Sequence, residues 1–190
     1  MLTSITPLGE RGRSQRYAVT MTAYALGCLL GGLTTGGLLG LVGSRLPALP
    51  VLALGGAACL LAAVADLRGW LPLGRRQVDQ AWLGTYRGWV YGAGFGVQLG
   101  LGVVTIVSSA ATVAVLVLAL LTQSVAGGLL LGTVFGAARA LPTLLSARAH
   151  GHDDLRRIAA GLQRRAPLAA RVTVAGLAAG GTVLLLAGAA

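Results

Sequence analysis

Four stretches of the chain carry no charged side chain: 17–44, 46–65, 88–138 and 172–190. A helix rises about 1.5 Å per residue, so about 20 apolar residues cross a hydrocarbon core roughly 30 Å thick. The first, second and fourth stretches each match one helix on that scale. The third, 51 residues long, would reach roughly 77 Å as one helix, which fits two crossings. The pattern predicts an all-α, polytopic membrane bundle: one domain over 1–190 with about five transmembrane helices. Their expected positions are near 18–43, 47–67, 88–110, 114–139 and 169–188. Two places compete for the turn inside the third stretch, Ser108-Ser109 and Thr122-Gln123-Ser124. One of them is open to a second reading, as a break within a helix.

Composition narrows the class. Hydrophobic residues make up 55% of the 190 and charged ones 11%, against roughly 25% charged in soluble domains. Mean hydropathy is +0.79. That apolar content excludes a disordered chain, and two cysteines inside apolar runs exclude a disulfide scaffold. All 15 basic residues are arginine and only five are acidic, giving a net charge of +10. Nucleic acid is not the expected partner, because the charge avoids the apolar runs and gathers between them.

The arginines instead read as topology. Arg11, Arg13 and Arg16 precede the first run. Arg68, Arg75, Arg76 and Arg87 lie between the second and third, and seven more, from Arg139 to Arg171, lie between the third and fourth. Arg45 alone falls on the other side. The positive-inside rule then predicts a cytoplasmic N-terminus, an external C-terminus and a bacterial cytoplasmic (inner) membrane as the setting. The first run is too long for a signal-peptide core and reads as an uncleaved anchor. Six of nine aromatics fall between Trp70 and Phe95, the type that favours the headgroup region. Val78, Trp82, Tyr86 and Trp89 recur at helical spacing, so 75–88 is expected to be a cytoplasmic amphipathic segment. A second, 153–165, sets Leu155, Ile158 and Leu162 on one face. Its Arg156, Arg157, Arg164 and Arg165 are placed to meet anionic lipid headgroups, each charge contributing about 1 kcal/mol; ordinary solvated loops are the competing reading.

Tyr24-Ala25-Leu26-Gly27 resembles Tyr91-Gly92-Ala93-Gly94, and Leu71-Pro72 recurs as Leu141-Pro142. The spacing raises an internal duplication of a helical hairpin, 20–72 and 91–142, of the kind that flanks a substrate path. No ionisable group is expected deep in a span. Asp66 is read as an interfacial partner of Arg68. The polar residues left inside the runs include Thr34, Thr35, Gln98, Thr105, Ser108, Ser109, Thr112 and Thr122-Gln123-Ser124, each explicable as inter-helix glue; the first six are the candidate path. The 30 glycines are over twice the usual share, which implies close helix packing, broken helices facing a cavity, or both.

Cys28 and Cys59 lie at similar depths if the first two runs form a hairpin, so a redox pair competes with two buried small hydrophobes. His150-Gly-His152-Asp153-Asp154 has metal-capable side chains, but a helix cap at Asp153 or Asp154 explains the aspartates, and no metal is expected. No hydrolase elbow, phosphate loop or HExxH run is present, so neither enzyme activity nor a cofactor is expected.

The segment Leu29–Leu38, LLGGLTTGGL, resembles the first-helix segment of the CcdA/DsbD transmembrane family. Tyr91–Gly100 resembles the Gly-rich opening of that family's second repeat. Similar repeated hairpins occur in TauE/SafE-type and nickel-type small transporters of the LysE-like superfamily. The resemblance implies a transporter-like scaffold. The family's redox Pro-Cys is replaced here by Thr35-Gly36, and Cys28 and Cys59 stand elsewhere, so thiol chemistry does not carry over. Three functions follow as expectations: a carrier of a small solute or anion; a non-catalytic accessory subunit bound to a membrane partner or its own copies; and a membrane thiol–disulfide electron carrier.

Overall fold

The computed structural model describes residues 10, 14–70, 86–102, 109–145 and 152–189. Described residues outside helices form turns and short links; none forms a strand. Six helices carry the architecture: α1 (Tyr17–Gly43), α2 (Val51–Leu67), α3 (Gly88–Leu101), α4 (Ala110–Leu121), α5 (Val125–Leu145) and α6 (His152–Ala189). Tyr17–Gly43, Val125–Thr143 and Arg156–Ala189 are long and apolar enough to cross a membrane; α2 and α4 are shorter apolar helices.

Small residues fill most of the helix interfaces, with Met21, Tyr24, Tyr91 and Phe95 as the large exceptions, while many leucines and valines lie outside. Leu26, Leu30, Leu61, Leu130, Val134 and Leu186 all face outward, more than half exposed. Inside lie Cys28, Cys59, Ala62, Ala110, Ala114 and the glycines of α1. Water would reverse this order. Lipid does not, because its tails solvate leucine as well as a protein core does, and association then rests on close backbone approach.

Two glycine rows make α1 the hub. On one, Gly27 and Gly31 oppose Gly96 and Gly100 of α3. A Cβ at Gly27 would lie 2.5 Å from the Ala93 carbonyl oxygen, and one at Gly96 would overlap that of Tyr24. The relation is reciprocal at Gly31 and Gly100, so α1 and α3 run parallel with a constant offset of 69 (96 − 27 and 100 − 31). On the other row, Gly32 faces Gly132 and Gly36 faces Gly128, each aimed at the other's carbonyl. The paired numbers sum to 164 in both cases, so α5 runs antiparallel to α1. The glycines thus serve close packing here, and Gly102 ends a helix as described below.

The second layer pairs α2 with α4 and α6. Gly56 meets Gly181 and Leu185, while Gly188 meets Leu52, so α6 runs antiparallel to α2. Ala62, Ala110, Ala114 and Leu177 close that interface. The α6 residues before it, with Arg156, Arg157, Arg164 and Arg165, are exposed, whereas Ile158 and Leu162 are partly covered. Asp153 and Asp154 occupy the first turn of α6, where negative charge complements the helix dipole. Asp154 also accepts from Arg157 at 2.5 Å.

Helix boundaries differ from those the apolar runs imply. The third run does not divide near residue 112. It forms α3 and α4, which run in the same direction, and then α5. The turn falls at Thr122-Gln123-Ser124: Gln123 takes φ +47, and its Nε2 donates to the Pro47 carbonyl at 3.0 Å. Ser109 therefore marks a break within a helix. Hydropathy counts uncharged length and is blind to a break whose backbone groups are satisfied by other helices. Most of the expected amphipathic segment 75–88 lies outside the described residues; Tyr86 and Trp89, at its end, are exposed.

Candidate functional site

The break is assembled from five helices. α3 stops at Gly102, whose φ of +72 is open to glycine at little cost. Its N–H donates to the Leu99 carbonyl at 3.2 Å. From α1, the Thr35 hydroxyl donates to the Leu101 carbonyl at 3.2 Å, taking one of the carbonyls freed at the helix end. The Phe135 ring of α5 lies beneath Gly102, where a Cβ would meet Cε1 at 3.0 Å. A Gly102→Ala substitution therefore combines backbone strain with a ring clash and is expected to cost about 1–3 kcal/mol. An unchanged thermal midpoint of the purified protein would contradict this.

Beyond the gap, α4 opens on a double cap. Ser109 Oγ accepts from Ala111 N–H at 3.1 Å and donates to Asp66 Oδ2 at 2.6 Å. Asp66 Oδ1 accepts from Ala110 N–H at 2.6 Å. A carboxylate at the positive end of a helix, with two direct donors, is a strong electrostatic arrangement. The reading of Asp66 as an interfacial partner of Arg68 is corrected accordingly. Asp66 turns inward to α4, while α2 ends in a Schellman closure at Gly69, φ +62, with Trp70 N–H on the Ala65 carbonyl. Arg68 stacks over Trp70 at 5.0 Å instead.

The glycine registers give the depth. The offset of 69 sets Leu101 level with Gly32 of α1. Gly43 abuts the Leu120 carbonyl, which sets Ala110, ten residues earlier, level with Leu33. Both sides of the break therefore lie about 15 Å from the Gly43 end of α1 and about 24 Å from its Tyr17 end. The freed backbone groups and the Asp66 carboxylate sit within the bundle, away from either mouth.

Two further polar clusters lie toward the Tyr17 end. Glu10, which precedes α1, is fully buried. Its carboxylate accepts from Thr20 Oγ1 at 2.7 Å and from the Tyr91 hydroxyl. Gln15 Oε1 accepts from Gly88 N–H at 3.1 Å, so the N-terminal segment is stitched across α1 and α3. On α5, Thr143 Oγ1 donates to the Tyr24 hydroxyl at 3.2 Å, and that hydroxyl donates to the Arg139 carbonyl at 3.4 Å. The Arg139 guanidinium lies over the Phe135 ring at 5.2 Å. Its Nη2 is buried and has no hydrogen-bond partner among the described residues.

Asp66, Arg139 and Glu10 thus make polar contacts within the packed helices that the sequence reading left to loops and the leader. Asp66 and Arg139 sit at the edges of apolar runs and looked like loop charges, because a run of uncharged residues does not tell where its helix ends. Glu10 lies in a polar leader and carried no signal beyond being the only acid there. Among the candidate path residues, Thr35 bonds the end of α3 and Ser109 caps the start of α4. Thr34 returns its hydroxyl to the Leu30 carbonyl of its own helix at 2.7 Å. Gln98 is half-buried on α3. Thr105 and Ser108 lie outside the described residues.

The two cysteines occupy different interfaces. Cys28 is buried against α3 and α5, with Tyr24, Tyr91 and Phe95. Cys59 faces Gly181 of α6. The redox pairing assumed that α1 and α2 pack as a hairpin, but they share almost no surface, and both thiols are free. His150 lies outside the described residues and His152 opens α6. Among the described residues, no three metal-capable side chains gather. No protein-family model, curated protein or solved structure matches this chain.

Proposed function

We propose that this protein is a small multi-pass carrier of the bacterial inner membrane, not an enzyme, and that it moves a small solute past the break between α3 and α4. The observation that carries the reading is the discontinuous helix itself. Its two halves point the same way, its backbone ends lie inside the bundle, and Asp66 and Thr35 line it. Irregular backbone at membrane depth is tolerated where protein buries it or a path is lined by it, and carriers place their sites at such interruptions. Asp66 also supplies the intramembrane ionisable group that coupled transport ordinarily requires.

The reading takes five passes, with α3 and α4 counted as one interrupted crossing, and the arginine distribution favours the N-terminus inside and the C-terminus outside. The likeness of 29–38 and 91–100 to the CcdA/DsbD and TauE/SafE-type proteins points to the same kind of scaffold. Exposed Arg156, Arg157, Arg164 and Arg165 suit anionic headgroups at the cytoplasmic face.

The test is flux in liposomes loaded with potassium chloride, nitrate, formate or phosphate, with a proton-sensing dye in parallel. At least one probe should move saturably above empty liposomes. Asp66→Asn should lower that flux about tenfold, and Gln98→Leu should lower it without preventing insertion. Background rates for every probe would sink the reading.

A second reading, an accessory subunit, draws on α6, which packs through one face while Leu168, Val172 and Leu186 stay exposed. A stoichiometric partner retained in mild detergent would favour it; a clean monomer or homodimer would not. The electron-carrier reading loses its support once the thiols are in separate interfaces.

A further inference from the structure

The buried nitrogen of Arg139 is the least explained polar atom in the bundle. A guanidinium offers five N–H donors in a planar fork and stays charged. Leaving such donors buried and unpaired is costly, and native structures seldom do so without reason. Among the described residues, Glu10 is bonded by Thr20 and Tyr91, and Asp66 by Ser109 and Ala110.

Position adds to this. The register that sums to 164 sets Arg139 level with Ala25 of α1, about 12 Å inward from Tyr17. Phe135, whose ring carries the guanidinium, is the same ring that touches Gly102 at the break. The cation therefore points along α5 toward the interruption. With one face of the guanidinium over Phe135 and Nη2 unpaired, the planar edge of the fork is the part left to bind, and its geometry suits the two oxygens of a carboxylate, nitrate or phosphate. Arg139 remains partly exposed, so a small ligand has access.

We infer that Arg139 is the binding group for a small oxoanion, held at the edge of its guanidinium between Phe135 and the break. This rests on the carrier reading only in identifying that anion as cargo; the binding site stands on Arg139 itself.

The experiment uses the purified wild-type chain in detergent and in nanodiscs. Phenylglyoxal modification of each arginine is followed by mass spectrometry, with phosphate, nitrate, formate or nothing added. Exposed Arg16 and Arg45 serve as internal controls. A dissolved oxoanion should slow modification of Arg139 by about tenfold and leave the controls unchanged. Protection by phosphatidylglycerol nanodiscs, but not by phosphatidylcholine nanodiscs or free phosphate, assigns the same site to a lipid headgroup. Equal rates under all conditions, or an Arg139 that never reacts even without anion, overturn the inference.

Arg139→Lys keeps the charge and loses the fork, and should weaken protection of the protein against heating by the anion about tenfold. Arg139→Gln should abolish it. Protection of Arg139 without flux would leave the site standing and remove the carrier. Flux that survives in Arg139→Gln would do the reverse.

Discussion

A valine at Gly132 is expected to destroy the folded monomer. A Cβ at this position overlaps the Gly32 carbonyl oxygen, approaches the Gly32 carbonyl carbon at 2.8 Å and comes within 3.1 Å of Gly36 Cα. All three are backbone atoms of the facing helix, so no rotamer change makes room. The axes of α1 and α5 must separate, and the close contacts from Gly36–Gly128 to Cys28–Gly136 loosen together. Overpacking usually costs 1–3 kcal/mol, and an immovable partner places this case at or above about 3 kcal/mol. Size-exclusion chromatography and the thermal midpoint in detergent read the outcome. Gly37→Ala provides the contrast: the new Cβ meets only the Leu129 side chain, at 3.0 Å, which can move aside, so the expected change is within about 0.5 kcal/mol. If Gly132→Val melted like the parent, the glycine registers would not be the basis of assembly.

The second large effect belongs to Asp66. Asp66→Ala removes the acceptor for Ala110 N–H and for the Ser109 hydroxyl, both at the interior break. Each donor left unpaired costs about 1–3 kcal/mol, so the single substitution should cost about 2–5 kcal/mol. Ser109→Ala alone should cost about 1–2 kcal/mol, since it removes an N-cap and one bond to the carboxylate. The two residues share a bond, so the double variant should cost less than the sum of the singles. The expected coupling is about 1 kcal/mol or more. Additive losses would mean that Asp66 and Ser109 do not act through each other, and the account of the break would fail with them.

Much of this was legible along the chain. Uncharged runs longer than a hydrocarbon thickness announced helices in lipid. Gly27, Gly31, Gly32, Gly36, Gly96 and Gly100 announced close packing through their four-residue spacing. Ser109 before an apolar run carried the ordinary mark of a helix start, and it stood beside Thr122-Gln123-Ser124 as one of two places where the long run might divide. Choosing between them was beyond hydropathy, which measures apolarity and is indifferent to direction. α3 and α4 are both apolar; only their shared heading, set by packing on α1, α2 and α5, makes one an interrupted continuation of the other.

The candidate site divides similarly. Thr35 and Ser109 were visible as hydroxyls in apolar surroundings. Asp66, Arg139 and Glu10 were visible only as charges near the ends of runs, and the simplest reading of such charges is an aqueous loop. Cys28 and Cys59 matched in depth along an assumed hairpin but face different neighbours.

By itself, then, the amino-acid sequence determined the apolar runs long enough to cross a membrane, the helical class and the two rows of small residues on α1, because these depend on composition and on a period of 3.6 residues. The tertiary structure alone decided which row meets which helix, where the third run breaks, and which charges turn inward. Those outcomes depend on partners 40 to 119 positions away, as in the bonds from Asp66 to Ser109 and from Tyr24 to Thr143. A local pattern holds no information about what will stand opposite it. Backbone approach through glycine brings those partners near, and the need to satisfy every polar group inside the bundle then selects among them.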